Sequence, residues 1–390
     1  MNQDWYFVIF LLIPVAFIAG WLISRNKHLE NHFKSRKNLY PDYFRGLNYV
    51  LNEQPDKAIE IFIKMIEVDS ETIETHLALG NLFRKRGEVD RAIRLHQNLI
   101  ARPTLSNEYR AQAYLELGKD YLKLGILDRA ESLFQELIEM DVLTSRAYEH
   151  LLEIYQQQRD WENAIFIARR LESLSDFDFS KTIAQFLCEM ADDALREEND
   201  KRAKDLIKQA LRLDSKCVRA SIMEGDLLFK KQNYKGAIAA YKRVENQDMD
   251  YIGEILPLLE ICYEKTGKEE HLKKYLLDLM TKNKEQNLMK ILARMIAKDE
   301  GNDRAVAFLE ENMKDNPTMN GVNQLLQYII AGTLSVDKNE LIPVKELFGK
   351  LLNSSAEYQC NNCGFEVLKM HWYCPGCKSW GSIKPILGIS

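Results

Sequence analysis

The hydrophobic positions of this chain follow two regimes. Between Trp5 and Ile23 they run for 19 residues without a charge, "WYFVIFLLIPVAFIAGWLI". From about residue 39 onward they recur every three or four positions between polar ones, with few breakers. An unbroken apolar run of that length predicts a membrane-spanning helix, and the second pattern predicts amphipathic helices packed on one face.

At 1.5 Å per residue, the first run is long enough to cross a hydrocarbon layer about 30 Å thick. Pro14 is tolerable inside it, and Trp5, Tyr6 and Trp21 sit near its ends, where amphipathic rings favour the interface. A cleaved signal would need a basic leader before the run and a small-residue site after it. Only Met-Asn-Gln-Asp precedes it, so residues 1–24 are expected to stay as an anchor. Arg25, Lys27, Lys34, Arg36 and Lys37 follow the span with Glu30 as the only acid among them, which places the C-terminal body on the cytoplasmic side. Residues 25–38 then form a basic juxtamembrane linker, in which His28 and His32 read as surface positions.

The amphipathic region repeats itself. Gly46, Tyr49, Ala58 and Phe62 recur as Gly80, Phe83, Ala92 and His96, and again as Gly118, Tyr121, Ala130 and Phe134. Gly46 to Gly80, Ala58 to Ala92, Ala130 to Ala164 and Ala203 to Ala237 are each 34 residues apart. Gly225 and Tyr241 extend the pattern, which weakens through Tyr263, Ala305 and Pro317. Small residues at two columns let paired helices approach closely, and an aromatic fills the space beneath the crossing. One pair cannot bury its own apolar face, so pairs must stack. The period and the small–aromatic–alanine–aromatic order resemble the tetratricopeptide repeat over residues 39–317. The helices of 318–357 read as a terminal cap.

The resemblance implies a scaffold whose first helices line a peptide-binding or protein-binding groove. Their register nominates Asn81, Arg84, Lys85, Lys119, Lys123, Arg219 and Lys230 as groove residues, each of which reads equally as solvated helix surface. The Asn-and-Lys set with which some such repeats clasp a C-terminal carboxylate is incomplete.

The tail changes the picture. Cys360-x2-Cys363-x10-Cys374-x2-Cys377 places four of the seven cysteines in two C-x-x-C turns. Two such turns facing one another make a tetrahedral S4 cage with bonds of about 2.3 Å to zinc. Gly364 and Pro375-Gly376 permit the tight knuckles, and the ten-residue spacer is short enough for a β-hairpin. His371 is surplus to a four-thiolate shell. A cytoplasmic body argues against disulfides. Zinc and iron both suit S4, and one zinc ion is favoured, since a 31-residue module from Cys360 to Ser390 has little core and metal binding then supplies folding energy. Cys188, Cys217 and Cys262 read as small buried apolar residues on repeat helices.

Composition adds mostly exclusions. At 390 residues, 46% hydrophobic and 28% charged, the chain can bury a sizeable core, and a net charge of −5 gives no pull toward nucleic acid. No phosphate-binding loop, nucleophile elbow or H-E-x-x-H motif occurs, and the seven histidines form no readable catalytic constellation. An enzyme is not expected.

The "CxxCG…CPxC" tail looks like rubredoxins and zinc ribbons. Anchor, repeats and ribbon in this order, with "YFRGLNYVLNEQPDKAIEIF" and "YQCNNCGFEVLKMHWYCPGCKSWGSIKP", resemble the lipopolysaccharide assembly protein B family of Gram-negative bacteria from end to end. The resemblance implies a single-pass inner-membrane adaptor with a periplasmic N-terminus. It implies that the adaptor promotes degradation of an LpxC-type lipid A deacetylase by an FtsH-type membrane-bound AAA+ protease, and that it meets other lipopolysaccharide assembly or regulatory membrane proteins. A homodimer is left open. The rival readings are an electron-transfer module on a membrane scaffold and an envelope-assembly scaffold without a proteolytic role. The expected fold is all-α: about eight to nine helix pairs in a tetratricopeptide solenoid, one transmembrane helix, and a rubredoxin-like ribbon at 358–390.

Overall fold

The computed structural model describes residues 41–52, 54–68, 73–282, 286–314, 319–332, 341–342, 345 and 356–386. The expected anchor, the basic linker with His28 and His32, and most of the expected cap lie outside the described residues. Among those described, no helix is long and apolar enough to cross a membrane.

The amphipathic pattern becomes antiparallel helix pairs. These are α1 (41–51) with α2 (Pro55–Val68), α3 (Ile73–Arg86) with α4 (Val89–Ile100), α5 (Asn107–Leu124) with α6 (Leu127–Glu139), and α7 (Thr144–Gln158) with α8 (Trp161–Leu174). They continue as α9 (Ser180–Arg196) with α10 (Asp200–Leu213) and α11 (Val218–Lys230) with α12 (Tyr234–Lys242). A short α13 (Val244–Gln247) and a 3-10 turn (Met249–Tyr251) precede α14 (Ile252–Lys265) with α15 (Glu269–Lys282), α16 (Gln286–Glu300) with α17 (Asn302–Met313), and α18 (Met319–Ala331). The helices form two compact units, one ending at Ser175 and the other starting at Asp176.

The repeat columns are the contact points. Ala58, Ala92, Ala130, Ala164, Ala203 and Ala237 are all fully buried. A methyl group placed on Gly118 would lie 2.6 Å from ring carbons of Phe134, well inside van der Waals contact, so only a bare backbone lets α5 cross α6 here. Gly80 stands in the same relation to His96, and Gly225 to Tyr241. Helix starts follow local chemistry: Asp160, Asn199 and Asn233 each accept a hydrogen bond from the amide three residues on, at 3.1 Å.

The tail is a three-stranded antiparallel sheet of order β2-β1-β3, with β1 Tyr358–Cys360, β2 Glu366–Val367 and β3 Ile383–Pro385. Tyr358 faces Val367 on one side and Pro385 on the other. The hairpin is not confined to the spacer: β1 and β2 flank the first knuckle and hold it between them. A Tyr373–Trp380 bridge does the same for the second.

Candidate metal centre and its docking surface

The two knuckles repeat one backbone design. The Cys360 amide donates to Phe365 O at 2.8 Å and the Cys374 amide to Ser379 O at 2.9 Å. The Gly364 amide donates to Cys360 O, and the Lys378 amide to Cys374 O, at 2.8 and 2.9 Å. Each knuckle therefore needs a left-handed residue just after its second cysteine. Gly364 meets this at φ +76°, whereas in the second knuckle Lys378 takes the role at φ 59°. Gly376 was expected to ease that turn through its conformational freedom, but it serves closeness: a Cβ there would lie 3.4 Å from Cys363 Sγ.

The four sulfurs converge. All lie within 4.8 Å of one another, with Cys360–Cys377 at 3.6 Å and Cys363–Cys374 at 3.7 Å. A tetrahedron with zinc–sulfur bonds of about 2.3 Å has edges of about 3.8 Å, so the cage fits one zinc or iron ion, and its four thiols are free. The Ser382 hydroxyl, 3.3 Å from Cys360 Sγ, lowers that thiol. The Ser379 hydroxyl, helped by the Asn362 side chain, lowers Cys377 to about 5. For Cys363 the Phe365 amide also lowers the thiol, but desolvation and hydrogen bonds to the other three sulfurs outweigh it and push the thiol up to about 12. Four thiolates at this spacing repel one another, and a divalent cation is what lets all four ionise.

The ribbon packs on α9 and the α13–α14 corner. The Tyr251 hydroxyl donates to Ile383 O at 2.9 Å and Gly381 O at 3.2 Å, the carbonyls on either side of Ser382. Burial raises that phenol well above its ordinary range and keeps it a donor. The Trp372 ring lies 5.1 Å from the Tyr251 ring, and the Trp380 ring meets Phe186 edge-on at 5.8 Å. Lys384 pairs with Asp248 and, at 3.5 Å, with Asp250, while Tyr358 donates to Glu254 at 2.8 Å. The readable signal was aromatic excess: Trp372, Tyr373 and Trp380 exceed what so small a sheet can bury alone.

The groove candidates divide by unit. In the first, Asn81, Arg84, Lys85, Lys119 and Lys123 occur on α3 and α5. Arg84 is not a free cation: it pairs with Glu116 at 2.5 Å and with buried Asp120 at 2.8 Å, and donates to Asn81 Oδ1. Asp120 also holds His96 Nδ1 at 2.6 Å, a partner that the aromatic column gave no hint of. Lys119 pairs with Glu116, whereas Lys85 and Lys123 are exposed. In the second unit Arg219 is only 4% exposed and bridges Glu189 and Asp192 on α9, so it ties α11 to α9 instead of facing solvent. Lys230 is exposed, 3.9 Å from Asp200.

Stacked helix pairs with buried alanine columns, joined to a four-cysteine knuckle pair, define a tetratricopeptide-repeat protein carrying a rubredoxin-type metal module. The tetratricopeptide repeat matches residues 75–108, 115–178 and 188–251, and the rubredoxin metal binding domain matches 358–385. The chain is 35% identical over 383 residues to lipopolysaccharide assembly protein B of Escherichia coli K12, covering 98% of each. It is 32% identical to the protein of that name from Haemophilus influenzae, covering 97% of this chain and 98% of the relative. This chain belongs to the lipopolysaccharide assembly protein B family. Among solved structures, the Naa15/Naa10 complex bound to HypK-THB superposes over 81% of the chain and 46% of its own, at 13% identity and TM-score 0.41.

Proposed function

We propose that this protein is a membrane-anchored adaptor in lipopolysaccharide synthesis and assembly, and not an enzyme. The observation that supports it most is family membership along the whole chain, repeats and ribbon together. In this reading residues 5–23 hold the body on the cytoplasmic face of the inner membrane. The repeats bind an LpxC-type deacetylase and present it to an FtsH-type protease. Confinement to one membrane raises the effective concentration of client at the protease without any new contact.

The ribbon's part is structural. Cys360, Cys363, Cys374 and Cys377 would hold one metal ion, zinc in preference to iron. When bound, the ion supplies the charge that keeps four thiolates together. Ser379, Ser382 and the knuckle amides stabilise the thiolates. Tyr251, Lys384 and Trp372 seat the module so that it forms one surface with α9 and α14.

Depletion of the protein, followed by a pulse-chase of the deacetylase, tests the adaptor reading. The half-life of the deacetylase should lengthen severalfold. An unchanged half-life would leave an envelope-assembly scaffold without a proteolytic role.

A further inference from the structure

The ribbon does not account for every close pair of thiols. Cys188 on α9 and Cys217 at the start of α11 lie 29 positions apart in sequence, with their sulfurs 3.9 Å apart. Both side chains are buried, at 0% and 2% exposure. Their setting is polar for a pair read as core filler. The Gln185 side-chain amide reaches Cys217 Sγ at 3.7 Å, and buried Arg219, two residues on, lends positive charge to both sulfurs.

We propose that Cys188 and Cys217 are an oxidation site that closes reversibly into a disulfide, with hydrogen peroxide as the oxidant, a dithiol as the reductant that reopens it, and Cys217 as the attacking thiol. The roles follow from position. Cys217 is the N-cap residue of α11, and a helix N-terminus favours a thiolate. The Gln185 amide donates to Cys217 Sγ, which marks Cys217 as the acceptor of the pair, and the hydrogen bond between the two sulfurs lowers Cys217 and raises Cys188. Ser215 and Lys216, immediately before Cys217 in the α10–α11 turn, are exposed, so a peroxide would reach the buried sulfur through this turn.

The chemistry balances with one peroxide. The Cys217 thiolate attacks a peroxide oxygen, the O–O bond breaks, and hydroxide leaves to take up a proton. The resulting sulfenic acid is attacked by the Cys188 sulfur. An S–S bond forms, and the sulfenic hydroxyl leaves as water with the Cys188 proton. Two thiols lose two electrons, and the peroxide yields two waters. The sulfurs close by about 1.9 Å to reach a bond of about 2.05 Å. The product clamps α9 to α11, and α9 is the helix whose Phe186 meets Trp380 of the ribbon. A disulfide of this kind in a reducing compartment is transient and serves sensing.

The test uses the full zinc-loaded chain. It is treated with limiting hydrogen peroxide, unfolded, alkylated and mapped by peptide mass. Cys262 is the internal reference, a thiol that burial pushes up to about 11. The Cys188–Cys217 linked peptide should exceed oxidised Cys262 at least tenfold and vanish with dithiothreitol. In Cys188→Ala, dimedone should label Cys217. In Cys217→Ala, Cys188 should stay reduced. The proposal is overturned if both thiols remain alkylatable while Cys262 or the ribbon thiols oxidise, or if dimedone labels Cys188 in Cys217→Ala. The mapping of the unaltered chain decides the matter even if a variant folds poorly.

Discussion

Tyr251→Phe removes one hydroxyl and leaves the rest of the docking surface in place. The ring, which is 2% exposed, keeps its 5.1 Å contact with Trp372, and Lys384 keeps its position 4.1 Å above it. What disappears is the donor to Ile383 O at 2.9 Å and Gly381 O at 3.2 Å. A buried acceptor left without its donor costs about 1–3 kcal/mol. Here one proton is shared between two carbonyls, each with a second lone pair, so we expect the lower half, about 1–2 kcal/mol. That is roughly a 5–30-fold shift toward the undocked ribbon, at tenfold per 1.4 kcal/mol. The assay is zinc transfer from the loaded protein to excess chelator, where the undocked ribbon releases metal faster. The rate should rise by the same roughly 5–30-fold, with unchanged helical circular dichroism. A change of less than twofold would refute the argument that this hydroxyl seats the module.

Other expectations rest on separate contacts. Gly118→Ala forces a methyl to 2.6 Å from the fully buried Phe134 ring and should cost at least about 2 kcal/mol in urea unfolding, with partial recovery in Gly118→Ala/Phe134→Leu. Glu116 works against burial, but Lys119 and Arg84 hold its carboxyl below the ordinary value of 4.5. A depressed folded value gives stability that is present above the unfolded value and is lost as pH falls below about 4.5. Glu116→Gln should therefore lower stability at neutral pH by about 1–2 kcal/mol and flatten its fall below about pH 4.5, as read from thermal unfolding at stepped pH. Purified protein should be colourless with one zinc per chain by elemental analysis. A red, iron-loaded protein would favour the electron-transfer reading. Chelation should unfold residues 358–386 while the repeat helices stay folded, as followed by hydrogen exchange.

The repeats were legible because their physics is periodic. Each alanine column must be small in every pair, so the requirement is written several times, and each instance is fully buried. The metal cage was legible for a different reason: C-x-x-C is a local turn, and two of them specify a centre wherever the rest of the chain goes. The charged groove candidates were less legible. Register alone places Arg84 and Arg219 on first helices, but it says nothing of the acids that neighbouring helices bring to them. Glu116 and Asp120 take up Arg84, and Glu189 and Asp192 take up Arg219. Lys378 was hidden likewise, because its left-handed backbone is imposed by two knuckle hydrogen bonds and not by its side chain.

By itself, the sequence determined the helix pairs, their spacing and the identity of the four thiols, because helix periodicity and knuckle spacing are properties of short segments. Tertiary structure alone decided where the ribbon sits. Tyr251 and Gly381 are 130 residues apart, and no local pattern relates a phenol in a 3-10 turn to a carbonyl beside a metal ligand. It also decided that Cys188 and Cys217 meet. Each looked like an isolated small apolar residue until the packing of α9 against α11 brought the two sulfurs within 3.9 Å.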